Sequence, residues 1–307
     1  MARTGYQLLG PSPWPISVAV SLLGLCATLL IFFSEGMSWV FWGSFFVSFN
    51  LFVFILFSWW SDVVKESTYL GEWSSYVVRT YVWGFRFFII SEVFFFGGLL
   101  GSFIFYGVGE SSIHGVGFWP PRGIKPLVPW KMAFLNTAIL VGSSGTVNWA
   151  LKSVQAHNSL NFDMEVNKSD IKRFNSFGKK LVSGKLVSGT VDTYYYWKRA
   201  VLAFVITILL GVSFTFLQAL EYYWASFSFG DGIYGSIFYL LTGFHGLHVI
   251  VGTIFLIVCL VRLIKFHFSY NHFYVGVLAA VWYWHFVDLV WVAVYGLVYI
   301  WGYWGYS

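Results

Sequence analysis

Charge is what this sequence has least of. Lys, Arg, Asp and Glu make up 10% of its 307 residues, against roughly 25% in an ordinary soluble domain. So few charges cannot cover the water-exposed surface of a chain this long, which excludes a soluble globular protein. Disorder requires low hydrophobicity and high charge; here 58% of residues are hydrophobic and 23% aromatic, which excludes it too. Cysteine is also scarce. Cys26 and Cys259 both lie inside apolar runs, with no C-x-x-C pattern, so neither a thiolate metal site nor a disulfide is implied. The first apolar run has no cationic leader, and no cleavable signal peptide is expected. A P-loop, G-x-S-x-G, H-E-x-x-H and a Rossmann glycine pattern are all missing, so no catalytic centre is expected within the chain.

What the chain does have is length without charge. A bilayer core of about 30 Å takes roughly 20 apolar residues as a helix. Seven runs qualify: Ile16–Phe33, Trp39–Trp60, Thr80–Tyr106, Met132–Leu151, Ala200–Tyr223, Ile233–Val261 and Phe273–Trp301. They do not alternate apolar with polar, so they read as helices and not as barrel strands. Of the 18 Lys and Arg residues, only Arg122, Lys125 and Lys131 fall on the side opposite the N-terminus. The positive-inside rule then puts the N-terminus on the cytoplasm-equivalent side and the C-terminus outside. Basic residues confined to loops give no argument for nucleic acid. The whole chain, 1–307, reads as one seven-helix membrane domain, with a polar loop at 153–197. That loop repeats Lys180-Leu-Val-Ser-Gly184 as Lys185-Leu-Val-Ser-Gly189. It reads either as a solvated loop or as a docking surface.

Few polar groups lie within the runs, and each is informative because burial in lipid is costly. Glu92 stands mid-run without a helix neighbour of opposite charge, so it is either a functional carboxyl or a neutral acid bridging two helices. His285 and Asp288, at i and i+3, share a face where an imidazole–carboxylate bond could form. His245 and His248 repeat that spacing. Gly243 and Gly246 beside them favour close helix packing, so interhelical hydrogen bonding is the reading, with bis-histidine haem ligation as its rival. Glu221 is a further buried polar candidate. Trp59 and Trp60 end the second run, followed by Lys65 and Glu66, and Arg262 and Lys265 end the sixth on the same side. Aromatics at headgroup level and cations for phosphate make these a candidate phospholipid headgroup site. The terminal aromatics Trp291, Tyr295, Tyr299, Trp301, Tyr303, Trp304 and Tyr306 read as interfacial anchors.

Several motifs occur in an order that is specific when taken together. They are Pro11-Ser-Pro-Trp-Pro15, Trp59-Trp60-x-Asp62-Val-Val-Lys-Glu66-Ser-Thr68, Ile89-Ile-Ser-Glu92-Val-Phe-Phe-Phe96, Trp119-Pro-Pro121, Leu217-Gln-Ala-x-Glu221-Tyr-Tyr223, Asp231-Gly-Ile-Tyr-Gly-Ser236, Thr242-Gly-Phe-His-Gly-Leu-His-Val249 and Trp282-Tyr-Trp-His-Phe-Val-Asp288. On these the chain resembles subunit III of the haem–copper cytochrome c oxidases, in its mitochondrial form. It departs from the family pattern at Ser61, Glu72-Trp73, Trp149-Ala-Leu-Lys152, His272-Phe273 and Leu278. The resemblance implies an all-α membrane protein with helices one and two splayed from helices three to seven around a V-shaped cleft. Phospholipid would fill that cleft: cardiolipin, phosphatidylethanolamine or phosphatidylglycerol. The resemblance also implies Trp60, Glu92 and Arg262 near that lipid. It implies no cofactor in this chain, with haem a and copper in subunit I. Further partners implied are subunit II, accessory oxidase subunits and supercomplex neighbours. The implied role is non-redox support of assembly, proton uptake and oxygen access during electron transfer from cytochrome c to oxygen. The implied location is the mitochondrial inner membrane, with the N-terminus in the matrix and the C-terminus in the intermembrane space. The rival readings are subunit III of a quinol oxidase, a stand-alone haem-binding membrane cytochrome, and a transporter, whose repeated halves are not visible here.

Overall fold

The computed structural model describes residues 11–71, 73–108, 119–121, 123–174, 183–268 and 274–304, the side chains of 160–192 excepted. The described residues are helical, with no strand among them. The helices are α1 (Trp14–Glu35), α2 (Trp39–Thr68), α3 (Ser75–Val108), α4 (Met132–Phe174), α5 (Ser183–Trp224), α6 (Gly232–Ile264) and α7 (Val275–Val294). A π-helical segment, Tyr295–Trp301, and a last turn, Gly302–Trp304, continue α7. The chain divides into two compact units, Met1–Tyr81 and Val82–Ser307.

The first unit is a helix hairpin. Gly36, at φ 69°, adopts a backbone conformation that side chains disfavour, and its N–H caps the Phe32 carbonyl at 2.9 Å. Ser38 opens α2 as a capping residue, accepting from the Phe41 N–H at 3.2 Å. A Cβ at Gly24 would lie 3.1 Å from Ser48 Oγ, so α1 and α2 meet closely there. Phe41, Phe45 and Phe49 stack at successive i, i+4 positions along α2, with Phe32 of α1 against the first of them. At the other end the Trp14 indole donates to Asp62 Oδ2 at 2.9 Å, tying the start of α1 to the end of α2.

The second unit is built on α4 and α5. On α4 the residues Ala133, Asn136, Leu140, Ser143, Val147, Ala150 and Val154 are fully buried. On α5 the buried stripe is Ala200, Phe204, Thr207, Gly211, Phe214, Gln218 and Glu221. Both follow alternating steps of three and four, the 3.5-residue repeat that keeps a seam facing its partner. The cross-links Asn136–Gln218, Thr146–Thr207 and His157–Thr193 show that the pair runs antiparallel in one register. Small and polar residues in that seam let backbones approach without a hydrophobic drive, which lipid does not supply.

The same residues explain a difference from the sequence reading. Six of the helices are long and apolar enough to cross a membrane; α4 is not among them. Its polar residues lower its hydropathy because they face protein, not lipid. α4 and α5 also run helically far beyond the apolar stretches, into the 153–197 segment expected as a loop. Proline is confined to the first 129 residues, so no proline ring breaks the helical hydrogen bonds of α4 or α5 there. The first repeat lies partly outside the described residues.

α7 is the most buried span, with 56% of its apolar window inside the protein. Trp284 sits at its centre, and its indole donates to Ser143 Oγ at 2.8 Å. Room for that ring comes from two glycines on neighbouring helices. A Cβ at Gly211 would lie 2.6 Å from Trp284, and one at Gly252 would lie 3.0 Å from it. The expected packing glycines, Gly243 and Gly246, instead face open space, with nothing within 4 Å of a built Cβ. They lie off the buried stripe of α6, which passes through His245, Val249, Gly252 and Leu256. The terminal aromatics also differ from the interfacial reading. Trp291, Tyr295 and Tyr299 are buried in the core, because α7 is enclosed by α4, α5 and α6 as it continues into the π-helical segment. Among the described terminal aromatics, Trp304 is the strongly exposed one, at 72%. Replacing Gly211 by Leu should therefore displace Trp284 and destabilise the second unit by roughly 1–3 kcal/mol. The same change at Gly97, which faces open space, should be nearly silent. Thermal unfolding in mild detergent compares the two, and an equal shift would refute this account of Trp284.

Candidate functional site: polar pairs between the spans

Glu92, Glu221, His245, His248, His285 and Asp288, within the described spans of the second unit, each have a partner on another helical segment. Glu92 on α3 meets His248 on α6, with Oε2 3.0 Å from Nε2. The other ring nitrogen of His248 lies 2.7 Å from the Phe244 carbonyl, which can only accept, so Nδ1 carries a proton. A single further proton then lies between Nε2 and the carboxyl. Whichever atom holds it, the pair is neutral overall, which makes it tolerable in an apolar span. Phe95, Phe96, Phe244 and Tyr283 surround the imidazole or its partner helix face. α3 meets α6 through these long side chains.

His245 faces the opposite way. Its Nε2 donates to the Val287 carbonyl on α7 at 3.1 Å, and Trp291 and Phe214 pack on the ring. His245 and His248 thus serve different neighbours, α7 and α3, and do not converge. His285 and Asp288, whose spacing allowed a bond to each other, bond instead to α4. His285 Nε2 donates to Asn148 Oδ1 at 3.0 Å, and Ser144 Oγ donates to Asp288 Oδ2 at 2.7 Å. The i, i+3 spacing does put both on one face, but that face meets α4, whose Ser144 and Asn148 stand one turn apart to receive them. Thr137–Trp291 and Ser143–Trp284 continue the same antiparallel register. Glu221 is buried where α5 meets the π-helical segment. The Tyr299 hydroxyl donates to its Oε2 at 3.0 Å, and Gln218 links this group to Asn136. Asn136, Ser144, Asn148 and Gln218 were not singled out from sequence as polar partners, and Tyr299 was read only as an interfacial anchor. The available signal was their three- and four-residue spacing within runs otherwise rich in Leu, Val and Ala.

The residues expected to bind phospholipid divide between the units. In the first, Trp60 is exposed at 61% and Trp59 half-buried. Lys65 pairs with Asp62 at 2.9 Å, and Glu66 follows it, half-buried. In the second, Arg262 stacks its guanidinium over Phe268 at 4.7 Å, and Lys265 is exposed at the C-terminal end of α6. His267 lies just beyond. Burial, then the positive charges of Arg262 and Lys265, hold its imidazole below the usual histidine range. His114 and His272 fall outside the described residues. Among the described residues no three His, Cys, Asp or Glu side chains gather as a metal-binding group.

Long apolar helices joined side by side by interhelical polar pairs define a multi-pass helical membrane protein. Comparison with known sequences narrows the class. The family model for cytochrome c oxidase subunit III matches residues 4–166 and 188–303. The cytochrome c oxidase subunit 3 of Rattus norvegicus is 40% identical over 299 residues, covering 97% of each chain. Those of Dugong dugon and Ornithorhynchus anatinus are 41% and 40% identical over 299 and 304 residues, with the same coverage. The chain belongs to the cytochrome c oxidase subunit III family.

Two predictions follow from these pairs. In a double-mutant cycle of Glu92→Ala and His248→Ala, the coupling should be favourable by roughly 0.5–2 kcal/mol, the range for hydrogen bonds between membrane helices. Glu92→Gln should retain part of it. Unfolding free energies in detergent measure this, and additive single changes would show that the contact contributes nothing. The second concerns His157, outside the apolar part of α4. Its Nδ1 donates to the Thr193 carbonyl at 3.0 Å. Burial pushes its imidazole below the usual 6.5, and the bond to Thr193 only partly opposes this. The folded state thus resists a proton that the unfolded state accepts. Stability of this end of the α4–α5 pair should hold above about pH 6.5 and fall as the pH drops through that value. Hydrogen exchange near Thr193 at pH 7.5 and 5.5 tests this; His157→Gln should remove the difference.

Proposed function

We propose that this chain is the non-redox subunit III of a mitochondrial cytochrome c oxidase. It would sit in the inner membrane beside the haem a and copper subunit I, with subunit II and accessory subunits as further neighbours. The observation carrying this is the alignment at 40% identity, which runs through 97% of both chains. The chain's own chemistry agrees. Its buried ionisable groups are consumed in holding helices together, a pattern suited to supporting another subunit's redox centre. Proton uptake, oxygen access and protection of turnover belong to this reading as roles performed through the assembly. The charge distribution supports an N-terminus in the matrix and a C-terminus in the intermembrane space.

Phospholipid is the ligand this reading adds. Trp59, Trp60, Lys65, Glu66, Glu92, Arg262 and Lys265 are its proposed contacts, in the cleft that the family resemblance implies. Cations near the ends of spans suit phosphate, and aromatic rings suit the headgroup level. Cardiolipin, phosphatidylethanolamine and phosphatidylglycerol all offer that chemistry. Purification of the native chain in mild detergent tests both parts. Haem a and copper should co-purify with a larger subunit and be missing from the separated chain; a Soret band on the separated chain would favour the membrane-cytochrome reading instead. In the same preparation, Arg262→Gln with Lys265→Gln should leave the chain inserted, lower its bound phospholipid and shorten the oxidase's active lifetime. Unchanged lipid together with unchanged lifetime would remove these residues from the lipid site.

A further inference from the structure

Arg86 is held between two indole rings within the apolar part of α3. It lies eleven residues into α3, about 16 Å along the helix at 1.5 Å per residue. Its guanidinium carbon is 4.8 Å from the centre of the Trp83 ring, one turn back on α3, and 5.2 Å from the Trp282 ring on α7. Both lie within cation–π range. Among the described residues no carboxylate pairs with it; the recorded ion pairs are Lys65–Asp62 and Glu92–His248. The side chain is exposed. A side chain on a helix slants towards the N-terminus, so Arg86 leans towards the charge-rich side of the membrane, and Trp282 waits only about 10 Å into α7.

Two indole faces attract the cation but take up none of its N–H groups. A guanidinium carries five donors in its own plane, in a fork that fits phosphate oxygens. Arginine within an apolar span is costly without a counter-charge, and this one still lacks it. Along α3 from Arg86 towards the opposite side, Phe87, Ile90, Val93 and Phe94 are exposed apolar surface, Phe94 at 76%. An acidic group and an apolar body are therefore accommodated side by side.

We propose that Arg86, held over Trp83 and Trp282, binds the phosphate of a phospholipid whose acyl chains lie along the exposed apolar face of α3. The site uses none of the cation contacts assigned to lipid above and does not depend on them. Trp83 and Trp282 fix the plane of the guanidinium, so geometry as well as charge selects the ligand. Lysine at this position would keep the charge but lose the planar fork.

The test uses the native assembly purified from its membrane, with a phosphatidylglycerol probe carrying a photoreactive headgroup. In the wild type the headgroup should cross-link to the peptides containing Trp83–Arg86 and Trp282. Arg86→Gln should lower that yield at least tenfold, and Arg86→Lys should fall between. Equal yields in the wild type and Arg86→Gln would overturn the proposal. If Arg86→Gln does not accumulate, the wild-type map decides alone: cross-links confined to other segments would overturn it. Excess inorganic phosphate distinguishes the sources. Retention of the cross-link supports a phospholipid, whereas its loss at millimolar phosphate would assign the site to free phosphate and overturn the lipid assignment.

Discussion

Within a bilayer there is no water to satisfy a buried polar side chain, and an unpaired one costs several kcal/mol. That constraint organises the second unit. Glu92 can exist inside α3 because His248 stands opposite it, and His285 and Asp288 because Asn148 and Ser144 do. Each pair also fixes how two helices slide past one another. Thr137–Trp291, Ser143–Trp284 and Ser144–Asp288 can be satisfied together only in one axial register of α4 against α7. Lipid-facing hydrophobic residues cannot provide such a constraint, because a leucine gains as much from lipid as from another helix. Register in this protein is therefore set by its few polar atoms and by the fit of Trp284 against Gly211 and Gly252.

The existence of seven helices was legible because an apolar run of bilayer length has few other solutions. Their ends were not. Hydropathy marks where lipid stops, whereas the helix stops only where its hydrogen bonds are broken or capped. α2 continues past Trp60 to Thr68, and α4 continues past Leu151 to Phe174, in sequence that water tolerates and helix geometry does not oppose. Partner choice was legible only in part. For Glu92 an interhelical acceptor or donor was among the open readings, and His248 fills that role. For His285 and Asp288, local spacing identified the correct face but could not reveal that α4 offers better-placed partners on it. Gly243 and Gly246 look like packing glycines from sequence alone. The helix that would use them does not lie on their side, and Gly252 has that role instead.

The aromatic residues show the same limit. A terminal cluster of Trp and Tyr is what a membrane interface favours, but it is also what a tightly packed core can use when each polar tip finds a partner. Trp291 donates to Thr137, Tyr299 to Glu221 and Tyr295 to the Pro129 carbonyl. These bonds make burial affordable and distinguish Tyr299 from Trp304, which has no such enclosure and stays exposed. Composition cannot separate the two outcomes, because the deciding atoms lie on helices distant in sequence.

A consequence follows for how this subunit can act. Glu92 and His248 join α3 to α6, His245 joins α6 to α7, His285 and Asp288 join α7 to α4, and Glu221 joins α5 to the π-helical segment, so the two close histidines point to opposite neighbours. A proton between Glu92 and His248 can shift along one bond without changing the charge of the pair, so such a shift perturbs the surrounding helices little. The arrangement commits each of these groups to a contact between helices. What it prepares is a set of helices held at fixed register, with apolar surfaces of α3, α5 and α6 turned outward. Any lipid or protein beside this subunit meets those surfaces, and the buried pairs matter by keeping the surfaces in shape.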